Sequence, residues 1–128
     1  MKLLTRMLAI GAFAICTAAL AAAPLIAPEQ LVERIEKKDP SVVVLDVRTP
    51  EEFSSGHVPG AMNIPHDQLP NRLAELAGAK DKEIVVYCRS GRRSEMALDT
   101  LSSQGFKRLL HLEGDMIKWQ EQKRPIEK

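Results

Sequence analysis

The chain has 128 residues, in which 18 lysines and arginines stand against 17 aspartates and glutamates, for a formal net charge of +1. This balance excludes the extended basic surface that nucleic-acid binding needs. There is no internal repeat and no low-complexity tract, so we expect one domain over residues 24–128. We also expect a monomer with no nucleic-acid partner.

The N-terminal segment is typical of an export signal. Lys2 and Arg6 precede an apolar stretch over residues 7–20, and small residues follow at 21–23. We predict a signal peptide over residues 1–22, cleaved near residues 21–23, and a periplasmic protein without a stable membrane anchor after cleavage. An uncleaved anchor is the alternative, but the apolar stretch is shorter than the ~20 residues of a membrane span.

Beyond the export signal, the predicted elements alternate between helices and strands. Pro28 stands at the first turn of a helix, and Thr49 and Glu52 form a capping box for another. In chain order we predict a helix over 28–36, a strand over 41–47, a helix over 51–54, a strand over 62–64, a helix over 71–76, a strand over 83–87, a helix over 93–104, a strand over 108–112 and a helix over 116–122. This order predicts a small α/β domain with a mainly parallel central sheet flanked by helices, and a ligand site at the carboxyl ends of the strands.

A cysteine stands directly after the predicted strand over 83–87, in the sequence CRSGRRS of residues 88–94. Gly91 permits backbone angles that a side chain forbids, so successive N–H groups can converge on one anion at the start of the next helix. The arginines favour the thiolate form of Cys88, which makes it the candidate nucleophile. A buried, unreactive cysteine is the alternative, but an arginine follows at once and the strand has already ended.

Three segments of the chain resemble the signature motifs of the rhodanese family. They are LDVRTPEEFSSGHVPGAMNIP at 45–65, the cysteine loop at 88–94 and LEGDMIKW at 112–119, and they lie in the predicted domain over 24–128. Size and export signal make the chain similar to the single-domain periplasmic thiosulfate sulfurtransferases of the phage-shock type. Asp115 departs from the family pattern, because many members have a second glycine after Gly114. We expect this departure to alter a loop and to leave the chemistry unchanged.

The resemblance implies sulfur transfer from thiosulfate or another sulfane-sulfur donor to cyanide or a thiol acceptor, through a persulfide on Cys88 and without a cofactor. The substrate-binding residues that it implies form the loop that follows: Arg89, Ser90, Gly91, Arg92, Arg93 and Ser94. We expect Arg89 and Arg92 to hold the thiosulfate oxygens, since guanidinium groups suit an oxyanion. For Arg93 two positions stay open, in this anion site or facing solvent at the start of the helix.

Other polar residues near the predicted strand ends are assigned supporting roles. Asp46 and Arg48 are candidates for an ion pair that orients the loop. His57 is predicted to fasten a turn, since a thiolate that is already ionised needs no general base. His66 and His111 have no cysteine, histidine or acidic partner at metal-ligand spacing, so we predict no metal site.

Two other functions are compatible with parts of this pattern. Cysteine-dependent phosphatases and arsenate reductases also hold a thiolate in a cup of amides, and a related phosphatase shares the rhodanese fold. Their pattern has an arginine six positions after the cysteine, where this chain has Ser94, with Arg93 one position too early. A non-catalytic rhodanese module for protein binding is the other alternative, but such modules commonly lose the cysteine that this chain keeps. The loop count and the retained cysteine therefore favour sulfur transfer.

Overall fold

The computed structural model describes Gly11 and residues 22–128, so the predicted signal peptide lies outside the described residues except for Gly11 and Ala22. The described chain forms a five-stranded sheet in the order β1-β5-β4-β2-β3, and every pairing between neighbours in it is parallel. The strands are β1 (Leu25–Ile26), β2 (Val42–Asp46), β3 (Met62–Asn63), β4 (Glu83–Tyr87) and β5 (Leu109–Leu112). The predicted α/β fold is confirmed.

Helices flank this sheet on both faces. The α-helices in the described part are α1 (Pro28–Glu36), α2 (Pro50–Ser55), α3 (Arg92–Ser103) and α4 (Asp115–Glu121). The predicted capping box of α2 is present, because the Glu52 amide donates to the Thr49 hydroxyl at 3.2 Å. None of the described helices has the length and apolar character that crossing a membrane requires.

The first strand is an element that the sequence analysis does not predict. It is two residues long and forms because Leu25 and Ile26 pair with His111 and Leu112 of β5. Two residues carry no periodicity that a sequence pattern could reveal, so only the pairing identifies this strand.

The helix predicted over 71–76 is wrong in type and in extent. The chain forms two 3-10 helical segments there, Leu69–Asn71 and Leu73–Ala79. Leu73, Leu76 and Ala79 recur at every third residue, which is the 3-10 period, and all three pack on the core. The apolar spacing in this segment thus belongs to the tighter helix.

The sheet separates two hydrophobic cores. On one face, α3 packs through Ala97 and Leu101 against β4 and β5. On the other face, Leu31 of α1 and Met116 and Trp119 of α4 complete the second core. Because both faces are covered, the carboxyl edge of the sheet is where the chain after each strand can form a site.

Candidate active site

Cys88 lies at the carboxyl edge of the sheet, one residue after the end of β4. The residue is 1% exposed, and its carbonyl accepts a hydrogen bond from the Met116 amide at 3.0 Å. The Arg89 carbonyl accepts from the Ile117 amide at 3.2 Å in the same way. The first turn of α4 thus holds the start of the loop over residues 88–94 against the sheet.

Gly91 gives this loop its shape. Its φ of +119° lies in a region that side chains rarely adopt, and its amide donates to the Cys88 sulfur at 3.0 Å. A Cβ atom at this position would lie 3.1 Å from Asp115 Oδ2. Only glycine therefore combines the turn with this close approach, and the turn brings an N–H group onto the sulfur.

The loop carries backbone N–H groups that are free to bind an anion. Within residues 22–128, five amides of the loop have no internal hydrogen-bond partner: Arg89, Ser90, Arg92, Arg93 and Ser94. Three of them belong to the first turn of α3, a helix of 12 residues whose positive end faces the loop. Unpaired amides at a helix N-terminus form a site for a negatively charged group, here beside the thiol.

The three loop arginines occupy different environments. Arg89 and Arg92 are exposed, and neither forms an ion pair with any described residue. The Arg93 guanidinium instead binds both carboxylate oxygens of Glu52 on α2, at 2.6 and 3.0 Å. This hydrogen bonding is the main cause that lowers the pKa of Glu52 from 4.5 to about 2. Arg93 therefore faces α2 rather than open solvent, and its predicted role in substrate binding stays a prediction.

Asp46 and Arg48 form the ion pair that the sequence analysis predicts. The pair is buried, with 2.7 Å between Arg48 Nη2 and Asp46 Oδ2. Arg48 also donates to the Gly56 carbonyl at 2.8 Å, and the Tyr87 hydroxyl donates to Asp46 at 2.7 Å. Burial, followed by the Asp46 charge, raises the pKa of that hydroxyl well above its ordinary value. These contacts join β2 and β4 to the end of α2 and include none with the cysteine loop, so the role of the pair in orienting that loop stays a prediction.

Ser94 and Asp115 meet behind the loop. Asp115 Oδ1 accepts hydrogen bonds from the Cys88 amide and from the Ser94 hydroxyl, each at 2.9 Å. The Ser94 hydroxyl thus points into the protein, and within the described chain only its amide remains free for a substrate. Asp115 thus contacts the loop directly, at the backbone of Cys88, and the expectation that it leaves the chemistry unchanged stays a prediction.

His111 has an acidic partner, contrary to the sequence analysis. Its Nε2 atom lies 3.1 and 3.0 Å from the two oxygens of Asp115. Sequence reasoning named both residues but missed that they pair, although two signals were available. One is the spacing of four residues between them, and the other is an aspartate where family members often have glycine.

His57 fastens a turn, as predicted. Its Nδ1 atom lies 2.9 Å from the Phe53 carbonyl, and its ring stacks on the Phe53 ring with 3.7 Å between centroids. Its backbone also pairs with Glu127 in an antiparallel bridge. These contacts account for the residue without a catalytic role.

The family model for the rhodanese-like domain matches residues 27–122. The chain belongs to this family. A sulfurtransferase of Allochromatium vinosum is 39% identical over 98 residues, which cover 77% of this chain and 89% of that protein. YrkF of Bacillus subtilis, named as a candidate sulfur carrier protein, is 40% identical over 95 residues, and the match covers 72% of this chain and 50% of YrkF.

A solved structure shows the same architecture. A rhodanese-related protein of Thermoplasma volcanium superimposes with a TM-score of 0.70 at 32% identity, covering 81% of this chain and 97% of that one. In the present rhodanese-like domain the three motif segments converge on Cys88. Glu52 of the first segment reaches Arg93, and Asp115 of the third reaches the Cys88 amide.

Proposed function

We propose that this rhodanese-like domain is a sulfurtransferase that carries a sulfane sulfur as a persulfide on Cys88. The observation that carries the proposal is a loop whose amides have no partner in the described chain and whose sulfur accepts the Gly91 N–H at 3.0 Å. Membership of the family supports sulfur transfer as a general function. The name of the Allochromatium vinosum relative, which this chain matches over most of its length, supports the same conclusion.

In the first half-reaction the Cys88 thiolate attacks the outer sulfur of thiosulfate. The sulfur–sulfur bond of thiosulfate breaks, sulfite leaves with the electron pair, and a persulfide anion remains on Cys88. The exposed guanidinium groups of Arg89 and Arg92 would hold the thiosulfate oxygens. The free amides would stabilise the negative charge that develops on the persulfide and on the departing sulfite, as an oxyanion hole does.

In the second half-reaction an acceptor removes the outer sulfur. Cyanide attacks it and leaves as thiocyanate, or a thiolate attacks it and leaves as a new persulfide. In both cases the Cys88 thiolate is restored with its electron pair, so that no cofactor is needed. Two separate half-reactions on one nucleophile predict ping-pong kinetics.

The phosphatase alternative is less well supported. Such enzymes need an arginine six positions after the cysteine, and Ser94 stands there with its hydroxyl turned toward Asp115. The preceding Arg93 is bound by both oxygens of Glu52. A purely non-catalytic module would not need a cysteine loop in which five amides lack a partner in the described chain.

We also propose that the protein is exported to the periplasm and works there as a monomer. The basis is the charged, apolar and small-residue order of residues 1–22. Intact mass of the protein recovered from cell fractions tests this. We expect a chain that begins near residue 22 in the periplasmic fraction, and a full-length chain in the membrane fraction would overturn the proposal.

Mass spectrometry of the thiosulfate-treated protein tests the function directly. Trypsin releases residues 83–89 as one peptide, which contains Cys88 and not Cys16. We expect this peptide to gain the mass of one sulfur atom and to lose it again when cyanide is added. Cys88→Ser should fold and show no turnover. Hydrolysis of p-nitrophenyl phosphate that exceeds sulfur transfer would overturn the assignment.

A further inference from the structure

A single buried carboxylate holds both ends of the cysteine loop. Asp115 is 2% exposed, and its Oδ1 atom accepts from the amide of Cys88 and from the hydroxyl of Ser94, which are the first and last residues of the loop. Its other oxygen lies against Gly91, at 3.1 Å from the place where a Cβ atom would stand. The carboxylate therefore contacts the loop at its start, middle and end.

Asp115 makes these contacts from an unusual backbone conformation. Its φ is +51°, in the left-handed region that only a few per cent of non-glycine residues adopt. A buried charge in such a conformation is costly unless its contacts are good. The contacts to the loop and to His111 are those that offset this cost.

His111 lies against both oxygens of this carboxylate. Its Nε2 atom lies within 3.1 Å of both Asp115 oxygens. Its strand partners are Leu25 on β1 and Val86 on β4, which carry no charge. Among the described residues, Glu95 of α3 is the charged group that acts on it besides Asp115.

The protonation states follow from these contacts. The hydrogen bond to Asp115 is the main cause that raises the pKa of His111 above its ordinary value. Burial by itself raises the pKa of Asp115, but the hydrogen bonds from His111, the Cys88 amide and Ser94 outweigh burial and hold that pKa below its ordinary value. Both directions favour an imidazolium beside a carboxylate.

We propose that Asp115 and His111 form a positioning pair for sulfur transfer, in which the carboxylate fixes the cysteine loop and the imidazolium cancels its negative charge. The proposal rests on the proposed function and deepens it. Without the imidazolium charge, an uncompensated carboxylate behind the loop repels the thiolate and the incoming anionic donor. Donor use should therefore weaken as the pH rises through the titration of His111.

Three variants separate the two roles. His111→Gln can still donate a hydrogen bond to Asp115 but carries no charge. Asp115→Asn keeps an oxygen acceptor, and Asp115→Gly removes it. Asparagine and glycine both tolerate the positive φ at this position. Lys123→Gly is the matched control, because Lys123 has a φ of +53°, is exposed at the end of α4 and makes no contact with the loop.

The charge role predicts a change in the reactivity of the thiol. The rate of alkylation of Cys88 by iodoacetamide is followed against pH on the tryptic peptide 83–89. In His111→Gln we expect the pH of half-maximal rate to rise by about one unit, and KM for thiosulfate to rise more than kcat falls. An unchanged pH profile together with an unchanged KM would overturn this role.

The positioning role predicts a graded loss of turnover. Asp115→Gly should lower kcat by about tenfold or more, because two hydrogen bonds to a charged acceptor are lost, and Asp115→Asn should recover part of the loss. Equal kcat in the native protein, Asp115→Asn and Asp115→Gly would overturn this role. If Asp115→Gly does not fold, the comparison is between Asp115→Asn and the native protein. Full activity of Asp115→Asn across pH would then show that sulfur transfer does not need a charged carboxylate at this position. Alkylation needs no sulfur donor, so failure of the pair is distinguishable from failure of the sulfurtransferase proposal.

Discussion

The exposed arginines are the residues with which an anionic donor would first make contact. Arg89 and Arg92 flank Gly91, and neither is bound by a carboxylate in the described part of the chain. An arginine without a partner keeps its five donors available for an oxyanion. Arg93 has the same side chain and follows Arg92 directly, yet its guanidinium donates to both carboxylate oxygens of Glu52.

Replacing Arg89 or Arg92 by alanine should weaken the use of thiosulfate. Hydrogen bonds to charged groups contribute about 1.5–3 kcal/mol each, so kcat/KM for thiosulfate should fall by about ten- to a hundredfold. An organic persulfide, which lacks the sulfonate oxygens, should lose less. Steady-state rates with both donors across pH measure this, and part of the thiosulfate loss should recover at higher pH, where more of the thiol is ionised.

The control for the arginines is Lys107→Ala, which removes an exposed cation at the opposite edge of the sheet. We expect it to leave both donors unaffected. Equal losses for the two donors in Arg89→Ala and Arg92→Ala, with no change in the pH profile, would contradict a role in anion binding.

Gly91→Ala should reduce both stability and activity. The φ of +119° is strained for alanine, and its Cβ would stand 3.1 Å from Asp115 Oδ2. We expect a loss of about 1–3 kcal/mol in the free energy of unfolding and a larger relative loss of sulfur transfer, because the amide moves off the Cys88 sulfur. Gly105→Ala is the matched control, since Gly105 has a φ of +89° and nothing within 4 Å. Activity lost equally in both variants would show that strain alone is responsible.

At the scale of elements, an ion pair between Glu52 and Arg93 joins α2 to the cysteine loop. Glu52 stands in the first turn of α2 and also contacts the Thr49 amide of the capping box at 3.4 Å. Because the pair lies at the surface, with side-chain exposures of 26% and 29%, its contribution to stability is small. The pair also occupies both terminal nitrogens of the Arg93 guanidinium.

Glu52→Gln should therefore improve the binding of an anionic donor. The substitution removes a negative charge near the site and frees Arg93, so KM for thiosulfate should fall by about two- to fivefold with little change in kcat. Initial-rate measurements at low ionic strength test this, because added salt would screen the effect. The matched control is Glu75→Gln, which breaks the exposed Arg72 pair within a 3-10 segment and should change nothing. A rise in KM would mean that Glu52 orders the loop rather than restrains Arg93.

At the scale of the whole molecule, charged pairs tie the edge of the sheet to the helices, and their titration sets how stability depends on pH. Asp39 and Glu52 have pKa values lowered to about 2, mainly by hydrogen bonds from Ser41 and Arg93 respectively. Their contributions are present above their unfolded pKa values and are lost as the pH falls through the folded values. The raised pKa of His111 acts in the opposite direction.

Stability should therefore decline on both sides of neutral pH. On the acid side the loss should occur between about pH 4.5 and pH 2, from the unfolded to the folded pKa of Glu52. On the alkaline side the contribution of His111 is complete below its unfolded pKa of 6.5 and is lost as the pH rises through its folded pKa. Urea midpoints measured in a Cys88→Ser background, where the thiol cannot ionise, test this. Between about pH 6.5 and pH 9, below the ordinary pKa of 10.0 at which Tyr87 begins to act, His111→Gln should remove the alkaline decline and keep the acid one. A decline that persists in this window would contradict the assignment.

The sequence by itself determined what depends on neighbouring residues. The apolar runs before Asp46 and Cys88 predict buried parallel strands, and proline with a capping box predicts the start of α2. The position of Gly91 three residues after Cys88 predicts the turn that brings an amide to the sulfur. These features could be predicted because strand, cap and turn preferences act within a few residues of chain.

Only the tertiary structure decided which groups meet behind and beside the loop. Asp115 is 27 residues from Cys88 and 21 from Ser94, and Glu52 is 41 from Arg93. No local pattern encodes such contacts, because they depend on β5 lying next to β4 and on the start of α4 folding back to the same edge of the sheet. The candidate nucleophile was visible in the sequence because its strand and turn are local features. The carboxylate that contacts its loop became visible only when packing brought the two segments together.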